Sequence, residues 1–530
     1  MGGPSRGRRH RTLMATQRTP RPATRSRSQA RPPSRGGSTR NGRGRQRRRG
    51  RSTLPAYLLG VVGAMVVVRL LYLGEPAGRD EAGFLIVGAG WDHGTSLYGS
   101  YWVDRPPLLI WVMELAGTVT TLRMWGLAAS VLTVLGVARA AHVAGGEQAA
   151  RWAAGAAALF GAAHWFGVPR TNGEMLAGAC VAWGFALSAQ ALVRPSGRTW
   201  LWAGSAGVLG AGAVMIKQTI VDGLVFSIVL ALLVGWNRKQ RSTAVTAIVS
   251  VVIGFLLAVA AGLAAANARG TSPGELFDAL VTFRADAGEV IRTSASDATA
   301  ERLAVLVVTW VVSGLALVAV LTTVNALRRR DPVLQATWVV IVVVTASALL
   351  GGSYWSHYLL QLVPASALAV GLVAGRVRPR TRTVAAAVVV ALTAGNLVWS
   401  VVRPPTDGVD ARTVGRWLKA SGAADDTAVV AYGQPNVLAA AHMASPYPYL
   451  WSLPVRTLDP DLAQMSAVMA GPERPVWFVD WSGIDSWGVD PAALERVLAM
   501  RYRKVADVCG RTIWLDRSRP RPLATPGSCS

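Results

Sequence analysis

Between Gly78 and Leu108 the chain gathers four carboxylates, two arginines and several aromatic residues. The run begins Gly78-Arg79-Asp80-Glu81-Ala82-Gly83-Phe84. It continues through Trp91-Asp92, Gly94 and Leu97-Tyr98, and ends Asp104-Arg105-Pro106-Pro107-Leu108. A carboxylate held at the mouth of a cavity can take a proton from a hydroxyl, which is the work of a general base. Adjacent acids cannot both face one way on a helix or strand. Asp80 and Glu81 therefore divide their tasks: one faces a reactant, and the other binds a metal or the backbone of its own loop. An isolated Asp-Glu pair is more often a solvated loop, but the charges and aromatics packed around this one argue for a site. Elsewhere the chain holds no CxxC, no HExxH and no P-loop, and its six histidines are scattered. A divalent cation such as Mg or Mn on oxygen ligands, Asp80 and Glu81 among them, is left open.

The elements that must position this loop are membrane-spanning helices. Apolar residues make up 51% of the 530 and fall in long unbroken runs. A span needs roughly 20 of them. Candidate spans run about 54–73, 119–138, 150–168, 174–193, 200–216, 219–236, 243–266, 303–326, 333–350, 357–375 and 383–402. The shorter apolar run 107–118 reads as a helix lying at the interface or capping the bundle. The chain thus divides into a basic arm (1–53), a transmembrane module (54–403) with a first outer loop at 74–118, and a C-terminal piece (404–530).

Residues 1–53 carry 17 of the arginines and no acid, so they supply most of the net charge of +26. Rich in Pro, Ser and Gly, the arm cannot bury a core and reads as disordered. Its natural contact is with anionic lipid headgroups on the cytoplasmic side. No aromatics interleave with its arginines, so a nucleic-acid partner is not expected. No small-x-small cleavage site follows 54–73, which reads as a retained signal anchor.

Positive charge in the loops fixes the orientation. Arg139 and Arg151, Arg194 and Arg198, the cluster Arg238-Lys239 with Arg241, Arg328 to Arg330, and Arg376 to Arg382 fall on the inner side. Asp80, Glu81, Asp92, Asp104, Glu174, Asp278, Asp286 and Glu289 fall on the outer side. Eleven spans from an inside start leave the C-terminus outside. Residues 404–530 read as a small extracytoplasmic α/β domain, with helices near 409–421, 435–443 and 491–500 and strands near 427–432, 475–480 and 511–516. A disulfide between Cys509 and Cys529 is open to it there, whereas Cys180 reads as a packing residue. Tyr447, Tyr449 and Trp451 suit either stacking on sugar rings or resting on the bilayer surface.

The order Asp80-Glu81, Gly94-x-x-Leu97-Tyr98, Asp104-Arg105-Pro106-Pro107-Leu108 resembles the first-loop signature of GT-C glycosyltransferases. Its nearest likeness is to the protein O-mannosyltransferase-like and aminoarabinose-transferase-like group, glycosyltransferase family 39 and its kin. Arg123 early in the second span, Asn172-Gly173-Glu174 opening the fourth, Lys217 ending the fifth, and Ser353-Tyr354-Trp355-Ser356-His357-Tyr358 with Pro364 follow in the same order. The resemblance covers about 75–402 and implies a GT-C-like fold. It implies transfer of a sugar from a polyprenyl-phosphate carrier to an acceptor hydroxyl at the outer face, with inversion. The acceptor class, whether glycan, protein or lipid, stays open. Asp80 would be the base, and Glu81 would hold the loop or help bind a cation. Arg105, Arg170, Lys217, His357 and Tyr358 would meet the donor's phosphate or sugar, and Asp92, Asp104 and Tyr98 would support the loop. Lys217 could instead snorkel to the headgroups, and His357 could simply cap its span. The chain has no long β-rich insert of the kind some mannosyltransferases carry. Two other functions suit a polytopic chain: a transporter or flippase of lipid-linked sugars, and a non-catalytic lipid-sugar binder.

Overall fold

The computed structural model describes residues 53–167, 170–237, 240–293, 297–402 and 407–529. The basic arm up to residue 52, and Arg238 and Lys239 of the third basic loop, lie outside the described residues. Helices come first: α1 (Leu54–Leu70), α2 (Arg79–Ala89), α3 (Pro107–Ala116), α4 (Val119–Gly161), α5 (Gly173–Val193), α6 (Thr199–Ile216), α7 (Asp222–Asn237) and α8 (Arg241–Asn267). Then follow α9 (Pro273–Phe277), a π-helical turn (Asp278–Thr282) and α10 (Phe283–Thr293). Next come α11 (Asp297–Val312), α12 (Leu315–Arg328) and α13 (Pro332–Leu350). A 3-10 turn (Ser356–Leu362) leads into α14 (Val363–Ala374), and α15 (Pro379–Val402) closes the bundle.

The predicted spans fall largely on helix, and among the described residues seven helical segments, against the eleven expected, are long and apolar enough to cross a bilayer. A bent pair passes the same test only when its two helices are taken together, and α1 and α7 are apolar but shorter. The protein is a multi-pass membrane protein. Local sequence explains where its helices start. The Thr118, Asn172 and Asp331 side chains accept from backbone N–H groups in the first turns of α4, α5 and α13, which satisfies donors that a helix start leaves orphaned. α6 and α8 touch through small residues. A Cβ on Gly207 would run into the Val251 carbonyl, and one on Gly254 would run into that of Gly204. Such contacts let helix backbones pack where lipid supplies no hydrophobic drive.

Two predicted features are corrected. The loop expected between the second and third spans is instead helix on either side of Gly146, which breaks α4 at φ 79° and ψ −167°. That conformation is open to glycine almost alone. The span predicted at 303–326 is not straight, because its two halves meet at 64°. Gly314 caps α12 with φ 84°, and an apolar run carries no sign of such a turn.

The C-terminal residues form α16 (Asp407–Ser421), β1 (Ala428–Ala431), α17 (Pro435–Ala441), α18 (Ser452–Leu458), α19 (Ala463–Ala470), β2 (Trp477–Asp480), α20 (Ala492–Arg501), β3 (Tyr502–Val508) and β4 (Arg511–Asp516). The sheet order is β1-β2-β4-β3, with β1 parallel to β2 and the other pairs antiparallel. Cys509 and Cys529 are bonded, with Cα atoms 5.4 Å apart. This layer is not a separate body, for it is bolted to the first outer loop. Trp102 N–H donates to the Pro448 carbonyl at 3.1 Å, and the Ser445 N–H donates to the Tyr101 hydroxyl at 3.1 Å. Asn436 donates to the Ala77 carbonyl at 3.3 Å. A Cβ on Gly83 would collide with the Trp451 ring, so only glycine lets α2 approach this layer so closely.

Candidate functional site

α2 begins inside the outer loop, so Asp80 and Glu81 occupy its first turn and point in different directions. Glu81 is 1% exposed. One of its oxygens accepts from the Gly78 N–H at 3.0 Å and from an Arg123 NH2 at 2.8 Å. The other accepts from Arg123 Nε at 3.0 Å and from the Thr171 N–H at 2.8 Å. Arg123 also donates to the carbonyls of Tyr72, Leu73, Glu75 and Pro76. Glu81 is thus a buried clamp that fixes the approach to α2, with both lone pairs of each oxygen in use. No oxygen of Glu81 is left for a cation. Among the described residues no group of three or more His, Cys, Asp or Glu side chains converges as a metal site requires. The paired site of Asp80 and Glu81 left open by the sequence therefore does not fit a divalent ion.

Asp80 is different. It is half-buried, and its Oδ1 accepts one hydrogen bond, from the Trp451 indole at 3.0 Å. The Trp451 ring is held in turn against Phe84, with centroids 5.0 Å apart. Beside Asp80 stands Arg105, fixed by Asp104 at 2.8 Å and laid over the Phe84 ring at 5.6 Å. Tyr98 donates to the Arg105 carbonyl at 2.6 Å. Asp104 is shared, since its second oxygen pairs with Arg284 of α10. Two guanidinium groups thus lean on one carboxylate. Burial works against the charge on Arg105, but Asp104, Asp80 and Glu174 outweigh it and hold its pKa above the usual arginine value. For Arg284 burial wins and lowers the pKa, with Asp104 pulling the other way.

A second cluster adjoins the first. Lys217, the residue after α6, pairs with Glu174 at the start of α5. Its ammonium lies 4.5 Å from the centre of the Tyr358 ring. His357 Nε2 is 3.7 Å from the same Glu174 carboxylate, and the His357 and Tyr358 rings meet edge to face at 4.9 Å. Both clusters act on each other electrostatically: Asp80 and Arg105 are felt at His357 and Tyr358. The fold therefore brings Asp80, Arg105, Asp104, Lys217, His357 and Tyr358 together. Asp92 lies apart, paired with Arg269 in the loop's own scaffold. Arg170 packs over Gly78 at the start of α2 and makes no ion pair among the described residues. Tyr447, one of the candidate stacking residues, is 2% exposed and donates to Asp459 in the core. It therefore faces neither sugar nor bilayer.

Solved structures share this architecture. ArnT from Cupriavidus metallidurans bound to undecaprenyl phosphate superposes with a TM-score of 0.57 at 14% identity, covering 87% of this chain and 98% of its own. Its apo state gives 0.56 at 13% identity with the same coverage. The Archaeoglobus fulgidus oligosaccharyltransferase in complex with Zn and sulfate gives 0.50 at 14% identity, covering 80% of this chain and 67% of its own. No family model and no curated protein sequence matches the chain. The chain has the GT-C fold. Within this GT-C frame, sequence reasoning missed Trp451 and Arg284 as partners of the site. It also missed Arg79 and Arg302, whose guanidinium carbons lie 5.5 Å and 5.2 Å from the Trp355 ring centre. Arg79 could have been suspected from its place beside Asp80. The others lie far along the chain from Asp80, and no local signal marks them.

Proposed function

We propose that the protein transfers a hexosyl or pentosyl group from a polyprenyl-phosphate-linked donor to an acceptor hydroxyl at the outer face of the cytoplasmic membrane, with inversion. One observation carries this reading. Asp80 is a carboxylate with one oxygen unbonded among the described residues, and it stands next to Arg105, which shares its counter-ion Asp104 with Arg284. Base and surplus cation lie side by side, as the reaction needs. Asp80 accepts the proton of the acceptor hydroxyl as that oxygen attacks the anomeric carbon. The bond from that carbon to the phosphate oxygen breaks on the opposite face, so the configuration inverts. Polyprenyl phosphate leaves as an anion, and Arg105, Arg284 and Lys217 offset its charge. No acid catalyst is required.

The GT-C fold supports the assignment, and the undecaprenyl phosphate in ArnT supports the choice of carrier. The disulfide between Cys509 and Cys529 supports an extracytoplasmic C-terminal layer. The bent pair α11 and α12 is a feature that transporters share. Here, however, the charged groups gather beneath the outer loops and not at the break.

The test is sugar release from a panel of radiolabelled polyprenyl-phosphate sugars by purified protein in detergent, with Asp80→Asn as control. One donor is consumed by wild type and spared by the variant. Wild-type turnover by Asp80→Asn would remove Asp80 as the base. Donor binding without any turnover, equal in both proteins, would favour the non-catalytic binder.

A further inference from the structure

A cleft of about 720 Å³ opens on the far side of the site's wall. It is bounded by the first outer loop, by the π-helical turn with α10, and by the C-terminal layer. Ligand clefts commonly fall between about 300 and 1,000 Å³, so this one is ample. Two of its walls are aromatic. Trp102 is half-buried and braced edge-on by Phe283 at 4.6 Å, and Tyr449 sits 6.1 Å from Trp102. Glu275, Asp278 and Asp286 line the same cleft and are all exposed. Asp286 has no hydrogen-bond or ion-pair partner among the described residues. Asp278 and Thr282 delimit the π-helical turn, a strained geometry that recurs at functional sites.

Three chain segments run directly from this cleft to the reacting groups. Trp102 leads to Arg105, Phe283 is followed by Arg284, and Tyr449 precedes Trp451, the donor to Asp80. A ligand lying in the cleft thus abuts the wall that holds the base. We infer that the cleft binds the glycan portion of the acceptor: a neutral, polyhydroxylated chain held along the wall that carries the candidate base. The chemistry matches on both sides. Rigid aromatic faces meet the C–H faces of sugar rings, and carboxylates accept strong hydrogen bonds from their hydroxyls. A lipid acceptor would want an apolar lining. The carboxylates do not converge on a cation, since the described residues hold no cluster of three such ligands.

This inference rests on the transfer reading for its role, so its test reads binding separately from turnover. Full-length protein in detergent is titrated calorimetrically with neutral hexasaccharides of glucose, mannose and arabinose, and with hexalysine as a cationic peptide. At least one hexasaccharide binds. Tyr449→Ala and Asp286→Ala each weaken it about tenfold, while consumption of the donor alone is unchanged. Asp286→Ala alters an exposed side chain and keeps the test independent of folding. No saccharide binding, or binding of hexalysine instead, overturns the inference while leaving donor turnover to stand. Saccharide binding that both variants retain overturns it too. Saccharide binding lost in both variants, together with a complete absence of donor turnover, upholds the cleft and sinks the transfer reading.

Discussion

The indole N–H of Trp451 donates to Oδ1 of Asp80 at 3.0 Å, joining residues 371 positions apart. One oxygen of the carboxylate is thereby oriented by the C-terminal layer, and the other accepts no hydrogen bond among the described residues. The layer is part of the site and not an appendage to it.

Trp451→Phe keeps a ring against Phe84 and removes only the donor. Hydrogen bonds to charged groups contribute about 1.5–3 kcal/mol, and each 1.4 kcal/mol is a factor of about ten in rate. Sugar transfer should fall at least tenfold in kcat, with little change in KM for the donor. Initial rates at saturating donor measure it. A rate within twofold of wild type would mean that Asp80 needs no such orientation.

Glu81→Gln and Asp80→Asn should separate cleanly, although the two residues are neighbours. Among the described residues Glu81 is the sole carboxylate paired with Arg123, and their side chains are 1% and 3% exposed. Removing one partner of a buried pair costs about 3–5 kcal/mol. Glu81→Gln should therefore lower the unfolding temperature in detergent sharply, while Asp80→Asn leaves it near wild type and abolishes turnover. Equal unfolding temperatures for the two variants would contradict the division of labour.

Lys217 and Glu174 should be coupled in a double-mutant cycle. Lys217→Met leaves the carboxylate of Glu174 buried, with His357 as its remaining ion-pair partner among the described residues. The single variant should be destabilised by about 3–5 kcal/mol. Adding Glu174→Gln should recover a substantial part of that, because both charges are then gone. Additive losses in urea or thermal unfolding would show that the two groups act independently.

These residues differ in how well the sequence announces them. Asp80, Arg105, Lys217 and His357 stand out because charge is rare beside apolar spans and costly unless it is paired. The crowded first loop points at Asp80 and Arg105, and the resemblance to GT-C enzymes at Lys217 and His357. Trp451 and Arg284 do not stand out. Trp451 reads as a sugar-stacking or interfacial aromatic and Arg284, on α10, as a solvated charge, and only tertiary folding brings Trp451 to Asp80 and Arg284 to Asp104. The same limit hid β3. Tyr502–Val508 is an edge strand, last in the order β1-β2-β4-β3, and its exposed Arg503, Lys504 and Asp507, with a register irregularity between Lys504 and Ala506, break the alternation that marks a strand. The starts and types of the apolar helices were legible because hydropathy sets them. The 64° bend between α11 and α12 was not, since a Gly inside an apolar run gives no sign of its φ.

The bond between Cys509 and Cys529 should hold the chain's last segment across α16. There Trp417 donates to the Ala524 carbonyl at 2.8 Å and the Ala524 N–H donates to Ser421 at 3.0 Å. Arg521 pairs with Asp426 at 2.6 Å on the same edge. The bridge closes a loop of 20 residues, and a bridge of that size contributes about 2–4 kcal/mol, mostly by restricting the unfolded chain. Cys529→Ser should lower stability by that amount and expose the segment after Asp516 to protease, while the transmembrane helices stay intact. Limited proteolysis with and without reductant, followed by mass analysis, reads both effects. Because the segment packs on α16 and not on Asp80, donor turnover should survive in the variant at moderate temperature. A variant that is as protease-resistant as wild type would mean that the hydrogen bonds of Ala524 and the Arg521 pair hold the segment without the bridge.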